Sequence, residues 1–360
     1  MSAENPKIIE ILARAVRAPL VRPIVTATTT IPDAPLILID VKTDVDVTGH
    51  AYLFGYTPVT LHPMLALIRE LGPLLVGKPI TPAVRLREFG QQFRLLGKQG
   101  LMGMVISGLD MAFWDALGKS VNRPVAALLG ADTSFLPAYD SYGVVDPARD
   151  AKDMEASLEA GFRAIKIKIG VGTVQQDIET IVGVRKVIGE SVRLMVDYNQ
   201  SLTVPDAIHR VKALADHGVY WVEEPVHAED LAGHATVRAA TSVPIQTGEN
   251  WWFPEDMARA VQARACDFAM IDIMKIGGIS GWMGAAGQAE GASLPVSSHL
   301  FIEASAHALA ATPTAQFVEH LDVAAAVLAN PVTVVQGRIA PRGPGLGIEW
   351  NETAIKRYEV

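Results

Sequence analysis

From residue 136 onward the chain repeats one theme: a short apolar strand, a turn and an amphipathic helix, restarting about every 25 residues, the length of one βα unit. The strands are expected at Leu136 to Tyr142, Ala164 to Ile169, Arg193 to Tyr198 and Tyr220 to Glu223. Four more follow at Pro244 to Gly248, Phe268 to Ile273, Pro295 to His299 and Gln316 to Leu321. Helical patterns lie between them, for example Val204 to His217 and Pro254 to Ala263. Eight such strands predict a closed parallel barrel. An open doubly wound sheet is the alternative, but no Gly-x-Gly-x-x-Gly follows the first strand, so its phosphate loop is missing.

The region before the repeat reads as α+β. Ile8 to Val16, Leu36 to Thr43 and Gly49 to Phe54 have strand character, with Asp44 to Thr48 turning the last two into a hairpin. Leu61 to Val76, Val84 to Leu95 and Met102 to Ser120 carry helical patterns, and Pro124 closes the region. The tail from Val323 to Val360, rich in Pro and Gly, is expected to return and cover this first unit. The division is therefore residues 1–130, completed by about 325–360, and a barrel at 131–324.

A hydrophobic content of 49% with 19% charged residues excludes a disordered or fibrous chain. The net charge of −8 disfavours binding to nucleic acid or an anionic membrane surface. A single cysteine, Cys266, excludes an internal disulfide and a Cys-rich zinc site. The first ten residues lack the apolar stretch of a signal peptide, and Asp110 and Asp115 interrupt the most apolar segment, Leu101 to Leu117. A cytoplasmic protein is the expectation.

In a parallel barrel, chemistry sits at the C-terminal ends of strands. Lys166, Lys168, Asp197, Glu223, Glu249, Asp272, His299 and Glu319 all fall there. Asp197 to Glu223 is 26 residues, and Glu223 to Glu249 is again 26. One acid alone is ordinarily a helix cap or a surface charge. Three in repeat register converge on one point, where only a cation lets them coexist, and all-oxygen ligation favours Mg²⁺ over zinc.

Ala164-Ile165-Lys166-Ile167-Lys168-Ile169 alternates strictly, so both lysines share one face and the isoleucines the other. With the isoleucines packed under helices, the lysines point inward. Mutual repulsion and desolvation are expected to lower a lysine pKa toward the range useful for a base. Snorkelling from an edge strand would be the alternative, which the central position of the segment opposes. His299 ends another strand and Asp272 the one before it, a pairing that orients an imidazole. A lone histidine is more often structural. Glu319, kept protonated by negative neighbours, is expected to donate a hydrogen bond to a developing enolate.

These segments resemble the mandelate racemase subgroup of the enolase superfamily over nearly the whole chain. The most telling are Lys166-Ile167-Lys168, Val196-Asp197-Tyr198-Asn199-Gln200-Ser201, Trp221-Val222-Glu223-Glu224-Pro225, Gly248-Glu249-Asn250-Trp251, Asp272-Ile273-Met274-Lys275-Ile276-Gly277-Gly278, Ser297-Ser298-His299-Leu300-Phe301 and Ala311-Thr312-Pro313-Thr314-Ala315. The resemblance implies a TIM-like (β/α)7β barrel with an α+β N-terminal capping domain. It implies one Mg²⁺ per site, replaceable by Mn²⁺, held by Asp197, Glu223 and Glu249. Lys168 would be the base for one enantiomer and His299, supported by Asp272, the base for the other. Lys166 and Glu319 would bind the substrate carboxylate, and Asn199 would approach its hydroxyl. Ser141 matches a polar active-site position, and Lys275 lies beside the dyad. An octamer is common in the family.

Specificity in that family lies in a capping loop, matched here by Arg22 to Pro35. Ile24, Thr26, Thr28 and Ile31 occupy the positions that approach the substrate ring, and Phe54, Tyr56, Leu300 and Leu321 complete an apolar wall. Thr28 and Ile31 depart from the family pattern, the first by a hydroxyl and the second by bulk, which points to a shifted ring preference. Two bases on opposite faces of a carbon suit racemisation of an aryl or alkenyl 2-hydroxy acid, a small-molecule carboxylate. The same pair suits dehydration of acid sugars, although a polyol pocket would carry more charged and amide groups. A non-catalytic protein on this scaffold would have lost a ligand or a base, and none is lost.

Overall fold

The computed structural model describes residues 5–26 and 30–360. Strands β1 (Ile8–Val25), β2 (Thr30–Thr43) and β3 (Thr48–Phe54) form an antiparallel sheet in that order. The first strand runs nine residues beyond its expected end at Val16. Pro19 and Pro23 argue for a break there, yet they flank a register shift between Pro19 and Ile24, where a missing N–H costs the ladder little. Helices α1 (Leu61–Leu71), α2 (Pro82–Gln92), α3 (Leu101–Ser120) and α4 (Val125–Leu128) follow. Helix α1 stops short of the expected Val76 because Pro73 cannot continue it.

The barrel strands are β4 (Leu136–Val144), β5 (Ala164–Lys168), β6 (Arg193–Asp197), β7 (Val219–Glu223), β8 (Ile245–Thr247), β9 (Phe268–Asp272), β10 (Val296–His299) and β11 (Val318–His320). They pair in parallel from β4 through to β10, and β11 pairs with β4. Backbone bonds Ser298 N to Phe317 O (2.9 Å) and Gln316 N to Val296 O (2.8 Å) close the ring. Between the strands lie α5 (Ala151–Glu159), α6 (Val174–Ile188), α7 (Val204–Ala213), α8 (Leu231–Ala240), α9 (Phe253–Ala263), α10 (Gly278–Gly291) and α11 (Ile302–Ala310). Eight strands and seven intervening helices make a (β/α)7β barrel.

Period-two alternation decides what fills it. Ile165 and Ile167 pack outward with Ile181 and Val184 of α6, whereas Ala164 joins Tyr139, Met195, Trp221 and Phe317 inside. These inner rings meet edge to face, Tyr139 and Trp221 with centroids 5.7 Å apart, and form an aromatic floor. Beyond the barrel, strand β12 (Arg338–Ile339) pairs antiparallel with the start of β4, and helix α12 (Glu352–Tyr358) reaches the N-terminal sheet. Arg14 pairs with Glu352 at 2.6 Å, and Trp350 donates to Asp40 at 2.6 Å, so the tail lies against the N-terminal sheet.

Helix α3 is long and apolar enough to cross a membrane by composition, but 78% of that stretch is buried inside the protein. Its two acids bind backbone. Asp115 accepts from His50 N (2.7 Å) and Leu346 N (2.6 Å), tying the sheet and the tail together. Asp110 accepts from Ser280 N (2.9 Å) in the first turn of α10, where the exposed N–H groups favour an acceptor. A side chain at Gly278 would strike Asp110 Oδ2 at 2.4 Å, so glycine there is required by the contact. Burial pushes the Asp110 carboxyl up to about 7. The folded state therefore binds a proton that the unfolded chain releases near pH 4, and this group's contribution falls as pH rises from about 4 to 7. Asp110→Asn is expected to resemble the wild type in stability at pH 4. By pH 8 it should be the more stable by on the order of 3 kcal/mol, as measured by urea unfolding at the two pH values.

Candidate active site

The carboxylates of Asp197, Glu223 and Glu249 come together at the ends of β6 and β7 and just past β8, with ligand oxygens all within 4.8 Å of one another. Asp197 and Glu223 are fully buried and Glu249 is 9% exposed. All three offer oxygen, the donor type that Mg²⁺ prefers. Counted with Glu319 and Asp272, five carboxylates face three cationic groups, Lys166, Lys168 and the His299 imidazolium, which leaves two negative charges. A divalent cation balances that deficit.

Both lysines point inward, as the alternation predicts. Lys166 Nζ bridges Glu223 Oε1 (2.7 Å) and Glu319 Oε1 (2.9 Å), and Lys168 Nζ lies 2.5 Å from Asp197 Oδ2. Two expectations are corrected here. Burial works to lower both ammonium pKa values, and Lys166 adds to it at Lys168, but the carboxylates outweigh them. Lys166 is held well above the ordinary lysine range by Glu223 and Glu319, and Lys168 is raised by Asp197. Glu319 is not kept protonated either. Burial pushes its carboxyl up, but Lys166 and His299 pull it down to about 2. Its Oε2 accepts the backbone N–H of Leu300 at 2.9 Å, which suits an ionised group.

On the other side, His299 Nδ1 lies 2.6 Å from Asp272 Oδ2, and Met274 N and Lys275 N donate to Asp272 Oδ1 at 2.7 and 3.2 Å. The carboxylate is thereby fixed and orients the imidazole. Its Nε2 faces Glu249 Oε2 at 3.4 Å. Burial lowers the His299 pKa, but Glu249 and Asp272 raise it to about 9. Asn199 donates its side-chain N–H to Asp197 at 2.9 Å, and its Oδ1 is buried without a partner. Ser141 Oγ and Tyr56 OH are buried and unpaired as well. Buried polar atoms without partners are rare, and these suit a polar ligand.

The backbone pays strain at the same strand ends. Asn199, Gln200, Glu224, Leu300 and Phe301 have φ between 36° and 64°. Two residues that the sequence reading gave no role complete the surroundings. Asn250 donates to both oxygens of the buried Glu224 at 2.9 Å and accepts from Lys275 Nζ at 2.5 Å. Their adjacency to Glu249 and Glu223 was the available signal. Lys275 also lies 5.0 Å from the centre of the Tyr56 ring, and Tyr56 packs on Phe54 at 4.7 Å. Ile24, Ser141, Lys168 and Leu321 border one cavity of about 300 Å³. Ile31 pairs with Ile24 across β1 and β2, Thr26 is half-buried, Leu300 is buried, and Thr28 lies outside the described residues.

The profile of the mandelate racemase / muconate lactonizing enzyme N-terminal domain matches residues 8–130, and that of the enolase C-terminal domain-like family matches residues 149–354. The chain belongs to the mandelate racemase/muconate lactonizing enzyme family of the enolase superfamily. Within this family, an enolase from Bradyrhizobium complexed with magnesium and mandelic acid superposes with a TM-score of 0.98, at 49% identity over 100% of both chains. D-galactarolactone cycloisomerase of Agrobacterium fabrum is 31% identical over 90% of this chain and 91% of its own length. The 3,6-anhydro-alpha-L-galactonate cycloisomerase of Streptomyces coelicolor is 30% identical over 91% and 92%. Other family members are named as racemases, epimerases and acid-sugar dehydratases. Solved relatives bind magnesium, and the Asp197–Glu223–Glu249 triad gives this enolase-superfamily chain a site of matching chemistry.

Proposed function

We propose that the protein is a Mg²⁺-dependent racemase of 2-hydroxy acids, acting on mandelate or a related aryl or alkenyl 2-hydroxy acid by two-base 1,1-proton transfer. One observation carries this reading: two groups able to transfer a proton, Lys168 and His299, flank the carboxylate triad. Lys168 lies against Asp197 on β5, and His299 faces Glu249 from β10. These strands are three steps apart one way round the barrel and five the other. A carbon held over the triad has one group on each face.

When bound to Asp197, Glu223 and Glu249, Mg²⁺ supplies Lewis-acid stabilisation of negative charge on the substrate carboxylate. The chain's own residues do the rest. Lys166 donates to the same carboxylate, opposing the second charge that builds as the α-proton leaves. Lys168 takes that proton from one enantiomer, and the His299 imidazolium returns one to the opposite face. For the other enantiomer the roles reverse. As a ligand of the cation, Asp197 would hold the Lys168 proton less firmly, which the base role requires. Asn199 Oδ1 is the acceptor available to the 2-hydroxyl.

The apolar set Ile24, Phe54, Leu300 and Leu321 favours an aryl or alkenyl group over a polyol, and the Bradyrhizobium relative with mandelic acid supports the same choice. Acid-sugar dehydration is the second reading, favoured by relatives near 30% identity that are named as dehydratases. Incubation with Mg²⁺ and each enantiomer of mandelate in D₂O separates them. Racemisation predicts α-deuterium incorporation by proton NMR with loss of circular dichroism from both enantiomers. Absence of exchange from either, with 2-keto acid formation from an aldarate, would make the protein a dehydratase.

A further inference from the structure

The cavity that opens beside Lys168 is apolar along its wall and polar at its far end. Its inner end holds Lys168 and the unpaired Ser141 hydroxyl, and its wall includes Ile24 and Leu321. Arg22, Arg149, Asp150 and Asp153 border its outer part. We infer that this outer part is a subsite for an uncharged hydroxyl at the distal end of the substrate, read by Arg22. The inference rests on the aryl 2-hydroxy acid reading and narrows its substrate class to distally hydroxylated members.

Arg22 is built into place. Its Nη2 donates to Asp140 at 3.0 Å, and its guanidinium carbon lies 4.0 Å over the Tyr142 ring. Asp140 is itself fixed by His320 Nδ1 at 2.7 Å and Ser157 Oγ at 2.5 Å. Gly143 lets the end of β1 approach β4: a Cβ there would meet Val25 O at 2.6 Å. A guanidinium held by a carboxylate and a ring face loses little entropy on meeting a ligand, and Arg22 borders the cavity.

Charge decides which distal group fits. Arg22 is balanced by Asp140, and Arg149 by Asp150 at 2.6 Å, which leaves Asp153 as surplus negative charge among the groups at this end. A second carboxylate would meet that surplus after losing its hydration. A hydroxyl carries no such penalty, because it accepts from Arg22 and donates to a carboxylate. Plain phenyl gains nothing from either.

Equilibrium binding separates the possibilities without depending on turnover. With Mg²⁺ present, benzohydroxamate, 4-hydroxybenzohydroxamate and 4-carboxybenzohydroxamate are titrated calorimetrically into the wild type, Arg22→Met and Asp153→Asn. The 4-hydroxy compound is expected to bind about five- to tenfold more tightly than the parent and the 4-carboxy compound more weakly than either. Arg22→Met should abolish the preference for hydroxyl while sparing the parent, and Asp153→Asn should selectively improve the carboxylate. Equal losses for all three ligands in Arg22→Met would make Arg22 a positioning residue only and overturn the subsite. Tightest wild-type binding of the 4-carboxy compound would overturn it too. Binding of none of the three would remove the aryl reading and the subsite with it, whereas parent binding without a hydroxyl preference removes the subsite alone.

Discussion

Asp197→Asn is expected to cost at least ~10³-fold in kcat/KM and to abolish saturable Mg²⁺ binding, because it removes a ligand and a charge together. Asp197 is the one triad member that also pairs directly with Lys168, at 2.5 Å. Its loss therefore removes the oxygen that would coordinate the cation and leaves a buried ammonium without its counter-ion. Two measurements check this. Calorimetric Mg²⁺ titration should give no saturable heat in the variant, and polarimetry should report the rate loss. Retention of wild-type Mg²⁺ affinity would disprove the assigned ligand set. Glu249→Gln is a useful companion, since Glu249 faces His299 rather than a lysine. It should lose the metal without unpairing Lys168.

The second large effect is expected from His299→Asn, and it is qualitative as well as quantitative. Removing one of two proton-transfer groups should lower racemisation by ~10⁴-fold, near the upper end of what a positioned acid or base contributes. Exchange of the α-proton with solvent should persist from the enantiomer whose proton faces Lys168. Lys168→Ala should give the mirror result, with exchange only from the enantiomer facing His299. Asparagine retains a hydrogen-bonding partner for Asp272, now 2.6 Å from the imidazole, so the barrel should fold normally. Proton NMR in D₂O with each pure enantiomer reads both variants. Survival of exchange from both enantiomers in His299→Asn would end the two-base assignment.

Much of this site was legible because barrel geometry converts spacing into proximity. The 26-residue intervals between Asp197, Glu223 and Glu249 and the alternation around Lys166 and Lys168 need only strand period and repeat length to be read. Electrostatics was less legible. The expected low lysine pKa and neutral Glu319 followed from counting like charges along the sequence. The outcome depends instead on Lys166 lying between Glu223 and Glu319, a fact of tertiary structure. Glu224 and Asn250 escaped because a side chain next to a ligand ordinarily points away from it. Here Glu224 has φ of 36°, which no local pattern announces. The continuation of β1 past Pro19 escaped for a related reason. Its partner is β2, and whether a proline's missing N–H matters depends on the register of that pairing.

The aromatic floor of the barrel has a kinetic meaning. Tyr139, Trp221 and Phe317 pack the barrel below Lys166, so ligands approach the triad from the C-terminal ends of the strands. Asp197 and Glu223 are fully buried at those ends, and Ile24 and Leu321 border the cavity beside Lys168. A cation held by these buried carboxylates would be covered by whatever substrate is seated above it. An occupied substrate site would then slow loss of the cation, a consequence of layering rather than of affinity.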